Sequence, residues 1–228
     1  MRNLLSLLLL PALMFVGPTP ASARCAPSGL QPYLMNGVDH PLAADGALLV
    51  GLRSSRSRAG GRGVDFPELT LNQGDTSIPL RLELLSSFVA RYVPESTPAP
   101  GRYRVAGLEV HVRFEARTSE AALAAPAVRA VQRREERRRR GVREQVRVVF
   151  RTPPPSRAIA ALVDSERGGF GGGVISADRG GLSVYDWGGG CQRRPRDLRS
   201  PPASGSNVIV RLVDRDGQLG APVTVPMT

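Results

Sequence analysis

The sequence predicts an all-β protein made of two tandem antiparallel sandwiches behind an export leader. Three observations carry that expectation. Apolar and polar side chains alternate in short runs, as in Leu80-Arg81-Leu82-Glu83-Leu84 and Val110-His111-Val112-Arg113-Phe114. Gly, Pro and Asp separate these runs. Long helical periodicity is almost absent. Alternation turns one face of a strand to a core and the other to water, and many short strands between turns are the pattern of a sandwich.

The chain opens with Met1-Arg2-Asn3, an apolar run from Leu4 to Val16, then Ala21-Ser22-Ala23. A positive start, an apolar centre and a small-residue exit mark a secretory signal peptide over residues 1–23. The apolar run falls short of the roughly 20 residues that span a bilayer, so a retained anchor is the weaker alternative. A lipid anchor at Cys25 is disfavoured by Arg24, where a small side chain is expected. No other segment reads as a transmembrane span. The expected place is the periplasm, the cell surface or the exterior. There, the two cysteines, Cys25 and Cys191, are expected to form one disulfide. Closing a loop of about 165 residues would remove about 4–5 kcal/mol of unfolded-chain entropy, less any strain.

Strand candidates follow in order at 47–53, 68–73, 78–84, 87–93 and 102–115. After them come 145–151, 157–163, 173–177, 182–187, 207–213 and 222–227. Asp216-Gly217 is the residue pair a tight hairpin turn prefers. The small-residue stretch 118–126, ending at Pro126, is the expected linker. It divides residues 24–117 from 127–228, with a single larger sandwich as the alternative.

Pro100-Gly101-Arg102-Tyr103 resembles the corner of bacterial Ig-like and fibronectin type III-like secreted modules. In that family a tyrosine so placed ties its hydroxyl to the corner backbone. The stretch 207–225 resembles such a module's closing hairpin. The resemblance implies two Ig-like sandwiches with adhesive, spacing or display roles, and Trp187 as a core residue of the second. It transfers no catalytic or ligand residue.

All 31 basic residues are arginine, and the formal net charge is +11. Arginine is spread along a chain rich in Ala, Gly and Pro, so position matters more than the total. Residues 129–147 hold nine arginines and three glutamates. One expectation is a helix, with Glu135 facing Arg139 and Glu136 facing Arg140, worth about 0.2–0.5 kcal/mol each. The preferred one is an edge strand through 127–134 whose arginines continue as a loop or hairpin tip. Arg133, Arg134, Arg137, Arg138, Arg139 and Arg140 are the candidate anion contacts, for lipopolysaccharide, acidic polysaccharide or extracellular DNA. The segment lacks aromatics that would stack bases.

The remaining motifs argue against chemistry. The glycine-rich stretches 167–174 and 179–191 lack the Lys-Ser/Thr of a phosphate loop and read as flexible loops. Asp214, Asp216 and Gly217 share part of a calcium-loop pattern, but the third acidic position and the closing glutamate are missing. His40 and His111 are far apart, with His111 expected on the wet face of a strand. No metal or cofactor is expected, and no catalytic residue is assigned. The expected function is non-catalytic: a structural or adhesive envelope protein whose partner is a protein or an envelope polymer. The alternative is a module binding an anionic polymer through Arg129–Arg147; a third is a hydrolase with no local signature.

Overall fold

Uninterrupted apolar stretches mark the strands that are covered on both sides, and two of them organise this chain. In a computed structural model the described residues are 30–54, 66–138, 141–165, 168–175, 180–188 and 201–228. The expected leader, Cys25 and Cys191 lie outside them. The fold is all-β: fifteen strands, with no helix among the described residues. β1 (Leu30–Leu34), β2 (Leu42–Ala43), β3 (Leu48–Ser54), β4 (Thr70–Gln73), β5 (Thr76–Leu84), β6 (Val89–Pro94), β7 (Gly101–Ala106) and β8 (Val110–Glu115) form one continuous sheet. Its order is β1-β3-β6-β5-β4-β7-β8-β2, antiparallel except where β2 meets β8 in parallel.

β5 changes partners halfway along. Thr76–Pro79 pairs with β4, and Leu80–Leu84 pairs with β6. The sheet thereby folds over a core that includes Leu48, Val50, Leu71, Ile78, Tyr92, Tyr103, Val112 and Phe114. The switch also corrects one expectation. Leu80, Leu82 and Leu84 share a face, yet only Leu80 is buried; Leu82 and Leu84 are 46% and 66% exposed. Past Pro79 the strand pairs with β6, and the face that carries Leu82 and Leu84 there is open to solvent. A second correction concerns 102–115, which is two strands rather than one. They turn at Gly107 (φ 92°), whose missing Cβ would lie 2.9 Å from the Glu68 carbonyl.

The second half contributes β9 (Val128–Arg138), β10 (Gly141–Phe150), β11 (Ala158–Ser165), β12 (Gly168–Val174), β13 (Gly181–Gly188), β14 (Asn207–Asp214) and β15 (Val223–Pro226). They form a three-stranded sheet, β13-β10-β9, and a four-stranded sheet, β12-β11-β14-β15. Val131, Val146, Val148, Phe170, Tyr185, Val210 and Leu212 fill the space between. Phe170 stacks on Tyr185 with ring centroids 5.1 Å apart.

The glycine stretch expected to be a flexible loop is largely strand β12, paired with β11. Its glycines serve close approach. A Cβ on Gly173 would stand 2.4 Å from the Ser183 carbonyl oxygen, and one on Gly171 would stand 2.7 Å from that of Val184. Backbone packs directly on β13, which only residues without a side chain permit. Trp187 belongs to β13, but its side chain lies outside the described part.

Residues 118–126 are irregular but fastened. Leu123 is 2% exposed within the second core, and its carbonyl accepts the Ala221 N–H at 2.8 Å.

Candidate functional site

The arginine segment is a two-stranded projection. β9 and β10 pair antiparallel from Val128 with Phe150 out to Arg138 with Gly141. The helical option is therefore overturned, and the strand reaches beyond the expected edge at 134. A helix here would have had almost nothing apolar to bury, whereas the strand places Val131 opposite Val148 in the core.

Pairing sorts the side chains onto two faces. Arg133, Glu135 and Arg137 share the face of Val131, opposite Val146, Glu144 and Val142. Gln132, Arg134 and Glu136 lie on the other face, opposite Arg147, Gln145 and Arg143. Of the candidate contacts, Arg133 and Arg137 thus stand on one face and Arg134 on the other. Arg133 is committed inward: it pairs with Glu135 and Glu144 and donates to the Pro202 carbonyl at 3.2 Å. Arg134 and Arg137 are exposed. The Arg138 side chain, Arg139 and Arg140 lie outside the described residues. An open cleft of about 400 Å³ runs along Arg134, Glu135, Glu136, Arg143 and Gln145.

A second cluster was not foreseen. The turn after β14 was expected to do no more than reverse the chain. It does reverse it, with Gly217 at φ 74°, but it also docks onto the loop between β2 and β3. Asp216, 3% exposed, accepts the Ala43 N–H at 2.9 Å and takes both terminal nitrogens of Arg117 at 2.7 and 2.9 Å. Its carbonyl accepts the Ala47 N–H at 2.9 Å. Asn36 completes the joint: its amide nitrogen donates to the carbonyls of Ala47 and Arg215, and its oxygen accepts the Leu49 N–H. A Cβ on Gly217 would lie 2.6 Å from the Ala47 carbonyl oxygen.

Electrostatics fit that geometry. The hydrogen bond to Asp216 raises the Arg117 guanidinium above its ordinary value, against some desolvation. Burial pushes the Asp214 carboxyl up, opposed by the Gln218 N–H that it accepts at 2.9 Å. Both acids are thus occupied by backbone N–H groups, and Asp216 by Arg117 as well.

Apolar contact seals the same joint. Leu49, Leu52, Phe88 and Val89 come from the first half yet belong to the second core. Neighbours Leu48, Val50, Ala90 and Tyr92 point the other way. This explains the unbroken runs Ala47–Val50 and Phe88–Ala90, which fit strands buried on both faces. They were the available sequence signal; the polar partners left none.

At the expected corner, the Tyr103 hydroxyl donates to the Ala99 carbonyl at 3.1 Å, directly before Pro100 and Gly101. Its ring meets Phe114 edge-on at 5.7 Å. His40 and His111 are both exposed. Among the described residues no three His, Cys, Asp or Glu side chains converge as metal ligands, and no helix is long and apolar enough to cross a membrane.

No family model matches the chain, and no curated protein matches it. Among solved structures, "Structure of Yersinia pseudotuberculosis adhesin InvE" aligns at 12% identity with a TM-score of 0.21. The alignment covers 88% of this chain and 60% of that one. So low a TM-score carries no argument about fold or role.

Proposed function

We propose that the chain is an exported, non-catalytic structural or adhesive protein of the cell envelope. On this reading it holds two tandem Ig-like or fibronectin III-like sandwiches, residues 24–117 and 127–228. The observation that carries the reading is the Arg117–Asp216 joint, with the apolar seal around Leu49 and Phe88. A spacer or display protein needs stiffness between its modules, and a joint that spends buried charge and apolar area on docking supplies it. The Tyr103 to Ala99 hydrogen bond supports the Ig-like assignment of the first module.

Export is tested by fractionating cells that express a tagged chain. The recovered protein should begin at Arg24 outside the cytoplasm, and unprocessed chain confined to the cytoplasm would overturn it. The Cys25–Cys191 disulfide belongs to the same proposal: thiol labelling without reductant should add no label, and two labels per chain would refute it. Beads coated with the processed chain should retain envelope fragments; bare recovery would remove the adhesive role.

A second reading is an anionic-polymer module, favoured by the exposed Arg134 and Arg147 on one face of the hairpin. Replacing Arg134, Arg143 and Arg147 by serine should weaken heparin retention more than three arginines changed elsewhere. Equal loss would leave only bulk charge.

A further inference from the structure

Asn36 is followed directly by Gly37, the one Asn-Gly pair in the sequence. The fold asks for both residues. Asn36, 6% exposed, gives and accepts hydrogen bonds at once. Its amide nitrogen donates to the Ala47 and Arg215 carbonyls at 2.8 and 2.9 Å, and its oxygen accepts the Leu49 N–H at 2.7 Å. The bond to Arg215 crosses from the first half to the second. Gly37 holds φ 77°, and a Cβ there would stand 3.1 Å from Leu42 and 3.3 Å from Val112. A crowded, left-handed position of this kind favours glycine over any residue with a side chain.

The pair carries a chemical liability. The Gly37 backbone nitrogen attacks the Asn36 side-chain carbonyl carbon, and glycine has no side chain to hinder the approach. The new N–C bond closes a succinimide ring, and the side-chain nitrogen leaves as ammonia with the proton that Gly37 gives up. Water then opens the ring at either carbonyl, leaving aspartate or isoaspartate. The sum is amide plus water to acid plus ammonia, with nothing oxidised or reduced. The other asparagines precede Leu4, Gln73 and Val208, whose side chains crowd that step.

In the closed joint the reaction is held back, because expelling the side-chain nitrogen breaks its bonds to Ala47 and Arg215. Conversion needs a molecule whose joint has opened. Its rate follows the population of that open form when opening and closing are fast against the chemistry. The product does not close again. A carboxylate at position 36 sets an acceptor against two carbonyls in a buried place, where an unmatched polar group is costly. Isoaspartate also lengthens the backbone by a methylene.

We propose that Asn36 is a spontaneous deamidation site, that opening of the joint it shares with Arg117 and Asp216 sets its rate, and that the modified chain cannot re-form the joint. The inference rests on the joint's geometry and not on the adhesive reading.

The test follows residues 24–228 at neutral pH by peptide mapping and mass spectrometry at Asn36. Asp216→Ala loosens the joint, whereas Gly173→Ala strains the second core against Ser183 and touches none of the joint's residues. With urea adjusted to give both variants the same global stability, Asp216→Ala should deamidate at least about ten-fold faster. Equal rates would mean that only global unfolding exposes Asn36. Conversion in neither variant, over the time in which a free peptide of residues 34–40 converts fully, would mean that the joint does not govern the reaction. Either result overturns the proposal. If Asp216→Ala does not fold, the unaltered chain decides. Its rate should rise with urea less steeply than its global unfolding constant, and matching slopes would overturn the proposal. The deamidated fraction, separated by its added negative charge, should unfold at lower urea and lose the protection of the Leu49 amide from hydrogen exchange. A fraction as stable and as protected as the intact chain would contradict the claim that the product cannot close. Export and bead retention are independent of these rates, so the two proposals fail separately.

Discussion

Arg117 and Asp216, 99 positions apart, meet through two hydrogen bonds at 2.7 and 2.9 Å. The acid is almost wholly buried, while the arginine keeps 34% of its side chain exposed. The same carboxylate holds the Ala43 N–H, so one side chain ties together the segment after β8, strand β2 and the turn after β14.

Asp216→Ala leaves Arg117 and the Ala43 N–H without their acceptor. Breaking a buried pair costs about 3–5 kcal/mol, and the partial exposure of Arg117 lowers the expectation to about 2–4 kcal/mol. Arg81→Ala, which breaks the exposed Arg81–Glu83 pair, should cost about 0.5 kcal/mol or less. Urea unfolding of the two variants measures the contrast. Similar losses would show that Asp216 does not fasten the halves.

Asp214 gives the joint a pH signature. Burial holds its folded pKa above the unfolded value, so the folded state binds its proton more readily. The sign follows from linkage: this residue lowers stability above its folded pKa, and the penalty fades as pH falls toward the ordinary carboxylate range. Asp214→Asn keeps a side-chain oxygen for the Asp216 and Gln218 N–H groups. The unaltered protein should therefore gain stability relative to Asp214→Asn as pH drops from 7 to 4. A gap that stays constant, or moves the other way, in paired urea titrations would reject the assignment.

Gly173→Ala should destabilise by about 1–3 kcal/mol through overpacking, since the new methyl meets the Ser183 carbonyl oxygen. Thermal unfolding reads this directly. An unchanged midpoint would restore the view of 168–174 as a loop.

Leu80 and Leu84 occupy the same face of β5 with opposite fates. Leu80→Ala should cost about 2–5 kcal/mol, and Leu84→Ala, at 66% exposure, about 0.5 kcal/mol or less. Equal costs by urea unfolding would mean that β5 stays covered to its end.

Local signals were legible where a strand has one wet and one dry face. Val110 to Phe114 alternates, and the structure buries Val112 and Phe114 while exposing His111 and Arg113. Leu82 and Leu84 alternate as cleanly and are exposed, because periodicity reports which side chains share a face but not whether another sheet reaches over it. Gly171 and Gly173 read as flexibility because a missing side chain looks the same whether it frees a loop or admits a neighbouring backbone. The bond between Arg117 and Asp216 is set by tertiary docking, which neither residue's neighbours encode. The arginine run announced its charge, and a strand through 134 already parts Arg133 from Arg134, but the continuation of pairing out to Arg138 needed the β9–β10 register.

The central claim is that the two halves move as one body. Backbone ¹⁵N relaxation of residues 24–228 tests it most directly. A single rotational diffusion tensor fitting amides from both β1–β8 and β9–β15 is the expected result. Two tensors with independent orientations would contradict it, and with it the stiff display role.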